Sequence, residues 1–153
     1  MSAIRVHFSS LSLGASVDQQ TGNLSVFDVV EEVRTPQVPV HLQQLVISLA
    51  IEKKEPGEFL GKLLIHIFTP DGKQQMIGQG EMHIPNDQRR MRAVFRLGGF
   101  PVYAFGAHRF VVSLMNEPGQ KIGEAILDFD CVQVTQVAQG VPPATGDKPQ
   151  MMN

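Results

Sequence analysis

Arg92-Ala-Val-Phe-Arg-Leu97, Gly98-Gly-Phe-Pro101, His108-Arg-Phe-Val-Val-Ser-Leu114, Asn116-Glu-Pro-Gly119 and the run from Ile122 to Val134 follow one another with no helix-length apolar pattern between them. Met91, Ala93, Phe95 and Leu97 alternate with Arg90, Arg92, Val94 and Arg96, and Phe110, Val112 and Leu114 alternate with Arg109, Val111 and Ser113. A period of two residues is that of a strand with one buried face. The stretch from Arg92 to Val134 therefore reads as three consecutive antiparallel strands, and it sets the expectation for the rest of the chain.

Upstream the same period recurs. Ile4, Val6 and Phe8 alternate with Arg5, His7 and Ser9, after which Leu11 and Leu13 carry the opposite phase. A bulge at Ser9-Ser10 explains the slip. In Leu24 to Val33, Val26, Val29, Val30 and Val33 have helical spacing, but β-branched side chains lose χ1 freedom in a helix and favour a strand with a second slip. Pro36 and Pro39 close it. Leu45, Ile47, Leu49 and Ile51 alternate with small or apolar residues, as in a strand covered on both faces. Leu60 to Phe68 and Gln75 to Ile84 flank the reverse-turn signal Pro70-Asp-Gly-Lys73, and a meander of these three strands is expected. Gly78 and Gly80 inside the weaker strand suggest a bulge or a close backbone approach.

The count is about eight strands at regular spacing, the pattern of a single antiparallel β-sandwich over residues 1–137. Residues 138–153 read as a disordered tail, because their Gly, Pro and polar composition cannot bury enough surface to offset ordering entropy. At 153 residues, with 42% hydrophobic and 18% charged residues, one core without staples suffices. A formal net charge of -2 lacks the basic footprint that nucleic acid requires. No uncharged apolar run approaches a membrane span, and no signal-peptide core opens the chain. The single cysteine, Cys131, forbids an intrachain disulfide and fits a reducing, cytoplasmic setting.

The opening strand, Thr21-Gly-Asn-Leu-Ser25, the turn Thr69-Pro-Asp-Gly-Lys73 and the strand Gly106-Ala-His-Arg-Phe-Val-Val-Ser-Leu114 resemble those of small bacterial proteins of unassigned function with an immunoglobulin-like or C2-like sandwich. The resemblance covers residues 4 to 134. It implies a fold and a bacterial cytoplasmic setting, and no activity.

No catalytic constellation is legible. The five histidines, His7, His41, His66, His83 and His108, have no zinc-ligand spacing, and the bland reading is surface or satisfied side chains, although a ladder could bring His66 and His83 together. Asp128 and Asp130 share one strand face, but calcium needs six or more oxygens, so they read as solvent-facing carboxylates. Gly98-Gly99 precedes no helix and reads as a turn rather than a phosphate cradle. Cys131 reads as a packing residue. These observations lead to an expectation of no metal, no cofactor and no enzyme activity.

Two features remain. Arg89, Arg90, Arg92 and Arg96 form the one concentrated charge feature, either a solvated strand face or a docking face for an acidic partner. The connection Phe100-Pro-Val-Tyr-Ala-Phe105 carries three aromatics, which either pack on the sandwich end or mark a contact. The expected function is protein interaction, with a partner or a second copy of the chain, through Arg90, Arg92, Arg96, Phe100, Tyr103 and Phe105. The rival is a small-ligand or carbohydrate-binding sandwich, against which the lack of Trp counts.

Overall fold

The computed structural model describes residues 3–135, all of whose regular structure is strand. The strands are β1 (Ile4–Val17), β2 (Leu24–Val29), β3 (Glu32–Thr35), β4 (Val40–Lys53), β5 (Phe59–Phe68), β6 (Gln74–Ile84), β7 (Arg90–Val102), β8 (Gly106–Asn116) and β9 (Lys121–Gln133). They form two sheets, β2-β1-β4-β7 and β3-β9-β8-β5-β6. Leu45, Ile47, Leu49 and Ile51 of β4 meet Leu63 and Ile65 of β5, Phe110, Val112 and Leu114 of β8, and Ala125 and Phe129 of β9 in one core. The expected β-sandwich is the observed architecture, and the proposed tail from residue 138 lies outside the described residues.

Several expectations are corrected in detail. The three strands from Arg92 to Val134 are not one antiparallel unit: β8 and β9 pair, but β7 belongs to the other sheet beside β4. Period-two alternation marks a half-buried strand without saying which sheet it joins. For the same reason the meander shrinks to the β5–β6 hairpin, with β4 in the opposite sheet. The strand from Leu24 to Val33 breaks in two, because Asp28 takes φ 58° and buried Val30 carries the chain from one sheet to the other. There are thus nine strands among the described residues, and β3 runs parallel to β9, so the second sheet is mixed.

The phase slip in β1 lies between Val6 and Phe8 rather than at Ser9-Ser10, and it leaves Phe8 exposed instead of in the core face. Gly98-Gly99 does not end its strand; β7 continues through to Val102, which shortens the aromatic connection to residues 103–105. Of the two readings of the β6 glycines the bulge holds, and what approaches Gly80 is a side chain rather than another backbone. A register shift opposite Ile65 and His66 leaves Ile77 as the bulged residue, and at Gly80 a Cβ would stand 3.2 Å from the Phe95 ring. His66 and His83 pair with Met76 and Leu60, too far apart along the ladder to form a site.

One element is built unusually. Beyond Ser12, β1 leaves β4 and runs on with β2 as a two-stranded arm. The carbonyls of Leu13 and Ala15, no longer paired to β4, accept hydrogen bonds from Gln44 Nε2 at 3.2 Å and Arg96 Nη2 at 3.1 Å. The turn of the arm brings Gly22 against the Arg92 guanidinium.

Candidate functional site: the Tyr103 cleft

The six residues singled out from sequence fall into four environments. Arg90 belongs to an ion cluster. Glu52, only 3% exposed, accepts hydrogen bonds from Arg5 Nε at 2.9 Å and Arg90 Nη2 at 3.1 Å, and pairs with Arg89 Nε at 3.1 Å. The Arg5 hydrogen bond is the main cause that holds its carboxyl below the ordinary range, with Arg90 and Arg89 adding to it. Arg92 and Arg96 serve the β1–β2 arm, as described. These arginines therefore brace Glu52 and the arm while their side chains stay largely exposed, 73% at Arg89 and 64% at Arg90.

The aromatic connection divides as well. Phe100 packs on the core with its ring centroid 5.6 Å from that of Phe110, and Phe105 is packed against the same cluster. Tyr103 is different. It is 70% exposed, the most exposed large apolar side chain among the described residues. Arg90 and Tyr103 stand at opposite ends of β7, separated by about 40 Å at about 3.3 Å per residue, so the structure does not bring them together.

What Tyr103 does border is a cleft where the β7–β8 connection meets the β5–β6 turn. The cleft has a volume of about 320 Å³ and is lined by buried Ile67 and His108, by Pro101, Tyr103 and Ala104 from the end of β7 and its connection, and by Thr69, Asp71, Lys73 and Gln75 from the β5–β6 turn. It continues along the β6–β7 edge into a second hollow of about 460 Å³ that shares Ile67, Thr69, Gln75, Pro101 and Tyr103 and reaches Arg96 and Phe100. Arg96, Phe100 and Tyr103 thus do share one surface.

The turn opposite Tyr103 is the one legible in the sequence. Gly72 N–H donates to Thr69 O at 3.0 Å, Thr69 N–H donates to Lys73 O at 3.0 Å, and the Thr69 hydroxyl donates to Asp71. That hydroxyl is the largest cause holding the Asp71 carboxyl low, followed by the Lys73 amide. Lys73 Nζ lies 3.7 Å from Asp71 Oδ2, so the two charges on this rim offset each other.

His108 is the residue that sequence reading missed. It is 3% exposed, stacks on Phe129 at 4.7 Å between centroids with planes 12° apart, and places Nδ1 3.0 Å from the Gly106 carbonyl. A carbonyl only accepts, so Nδ1 carries the hydrogen and Nε2 is left with a lone pair. Burial holds the imidazole below its ordinary pKa, against the smaller opposing pulls of Gly106, Asp130 and Asp71, and so favours the neutral ring. Gly106 itself has φ 116°, and a Cβ there would come within 3.2 Å of Pro70, so only glycine presents this carbonyl. The missed signal was phase: His108 continues the core-facing series Phe110, Val112, Leu114 by one step of two.

The remaining candidates are plain. Asp128 takes a two-pronged ion pair from Arg109, at 2.8 and 3.2 Å, and faces solvent. Cys131 is 2% exposed, and burial pushes its thiol pKa up. Among the described residues no three His, Cys, Asp or Glu side chains stand together as a metal site, and no helix is long and apolar enough to cross a membrane.

Fold and site together define a small β-sandwich domain with a cleft at one end and, on one sheet, an arm held by side-chain hydrogen bonds to its carbonyls. Residues 9–124 match the DUF6941 family, a family of unknown function, and the chain belongs to it. No curated protein matches the chain. Among solved structures, the chain is similar to part of a β-glucuronidase of Bacteroides uniformis, at 13% identity and a TM-score of 0.54 over 84% of this chain. It is also similar to part of an alkylpurine DNA glycosylase of Pseudomonas fluorescens bound to abasic-site DNA, at 9% identity and a TM-score of 0.51 over 86% of this chain. The chain spans 14% and 31% of those two proteins, and at such identities the likeness is one of fold.

Proposed function

We propose that this domain is a non-catalytic recognition module of a bacterial cytoplasmic system, which binds a partner protein at the Tyr103 cleft. The observation that carries the reading is the exposure of Tyr103, at 70%, beside a cleft of about 320 Å³, while the other two aromatics of its connection are packed inward. A tyrosine held out in solvent beside a concave surface offers a rigid apolar face with a polar tip, the kind of side chain that dominates protein contacts. Buried Cys131, its thiol pKa raised, makes a poor nucleophile, which supports the non-catalytic reading. The polar rim of Thr69, Asp71 and Gln75 beside an aromatic platform favours a second reading, a small-ligand or carbohydrate site in the same cleft.

Affinity purification from the source cells with the wild-type chain, Tyr103→Ala and Arg90→Ala separates these. A partner recovered by wild type and by Arg90→Ala but lost with Tyr103→Ala supports the cleft as the protein-binding site. Equal recovery by all three variants would place recognition elsewhere. A stabilising shift in melting temperature on adding sugars, with no Tyr103-dependent protein, would favour the second reading.

A further inference from the structure

Resting on the reading of the Tyr103 cleft as a protein-binding site, we propose that its occupant is a single tyrosine or tryptophan side chain of the partner, whose ring lies against Tyr103 and Pro101 and whose O–H or N–H donates to His108 Nε2. Three observations narrow the occupant to this chemistry.

The first is an unused acceptor. His108 has its Nδ1 hydrogen committed to the Gly106 carbonyl, and Nε2 has no hydrogen-bond partner among the described residues. Nor is Nε2 sealed off, because the two buried side-chain polar atoms lacking partners are Ser10 Oγ and Ser48 Oγ. A ring nitrogen of a nearly buried histidine that lines a cleft, with a lone pair and no donor, is completed by a ligand that brings one.

The second is charge. Asp71 and Lys73 neutralise each other across 3.7 Å, so the rim favours neither an anion nor a cation. A carboxylate or phosphate would also meet the lone pair of His108 with lone pairs of its own. The donor must therefore be a neutral O–H or N–H.

The third is shape and size. Ile67, Pro101, Tyr103 and Ala104 give the cleft apolar walls beside that one acceptor. A sugar could pair hydroxyls with Thr69, Asp71 and Gln75, but those it turned toward Ile67, Pro101 and Ala104 would stay unpaired. A volume of about 320 Å³ stands at the lower end of small-molecule pockets, which run from about 300 to 1,000 Å³. It admits one aromatic side chain, and a flat ring with a polar tip fits both the walls and the acceptor.

The test is NMR titration of the full chain with p-cresol and 3-methylindole, the tyrosine and tryptophan side-chain analogues, against toluene and methyl β-D-glucopyranoside. The proposal expects p-cresol or 3-methylindole to shift the His108 Nε2 and Tyr103 ring resonances, with toluene at least about tenfold weaker because it lacks the donor. Tyr103→Ala, at an exposed position, should fold and lose the shift, and His108→Gln should narrow the gap between p-cresol and toluene. Equal binding of toluene, no shift at His108 with either donor, or a shift there only with the glycoside would overturn it. The source of the ring is read separately, by replacing tyrosines and tryptophans with phenylalanine in a partner recovered through Tyr103. Loss of binding on one such replacement supports the assignment, and unchanged binding for all of them overturns it. Fragment binding with no Tyr103-dependent protein would assign the ring to a free small molecule and overturn the side-chain proposal. A Tyr103-dependent partner without fragment binding would leave the recognition module standing and refute only its anchor.

Discussion

Glu52 and His108 show how much depends on single side chains that alternation alone describes poorly. Glu52 sits at 3% exposure among Arg5, Arg89 and Arg90, and its carboxyl is held below the ordinary value of 4.5. A depressed carboxyl stabilises the fold above its unfolded pKa, and the contribution is lost as pH falls through the native value. Glu52→Gln should therefore melt below wild type at pH 7, with the gap closing as thermal melts are carried below pH 4.5. His108 has the opposite chemistry and the same direction. Its native pKa lies below 6.5, so the unfolded chain takes up the proton first and stability falls as pH drops through that region. Urea midpoints at pH 7.5 and 5.5 should differ less in His108→Gln than in wild type. The ion cluster and the buried imidazole were both present in the sequence as letters, Glu52 in an apolar strand and His108 in core phase. The pairing of Glu52 was not, because Arg5, Arg89 and Arg90 reach it from positions far away in the chain.

Among the elements, the strands themselves were legible and their partners were not. Alternation found β5 and β9 almost to their ends but only parts of β4 and β7, which run on from Val40 and to Val102 beyond the alternating residues. It could not separate hairpin from sheet crossing, because β7 and β8 are joined by a short connection that changes sheet. The β1–β2 arm was also hidden, since its attachment is through side chains to backbone carbonyls. Removing the Arg96 bond to Ala15 should loosen it: in Arg96→Ala, hydrogen exchange of the amides from Ala15 to Val26 should quicken, with global stability lowered by less than about 1.5 kcal/mol. Among the glycines of the described residues, the least room for a side chain is at Gly61 in β5, where a Cβ would stand 2.2 Å from the Met115 carbonyl. Backbone cannot yield as a flexible side chain can, so Gly61→Ala should cost about 2 kcal/mol or more in denaturant unfolding.

At the scale of the whole molecule, the two ends of the sandwich are built differently. At one end the buried ammonium of Lys53 bonds the Gly57 carbonyl of the β4–β5 turn and the Pro85 and Asn86 carbonyls of the β6–β7 turn, the Pro85 bond at 2.8 Å. Charge-assisted bonds of this kind are worth about 1.5–3 kcal/mol, and Lys53→Met should lose an amount in that range by urea unfolding. This end is tied shut. At the other end the β7–β8 connection and the Thr69 to Lys73 turn leave a cleft lined by His108, whose acceptor is unused. The turn and the aromatic connection were each legible as a local signal, and their convergence is a property of the topology that no local signal carries.

The central claim is that recognition happens at that open end, and a photo-crosslinking amino acid placed in the living source cell tests it most directly. With the crosslinker at position 103, the account predicts a discrete covalent adduct to one partner protein, absent when the crosslinker stands at position 90 beside Glu52. Adducts of the same identity and yield from both positions, or none from position 103 while an exposed arm position such as 27 gives one, would contradict it.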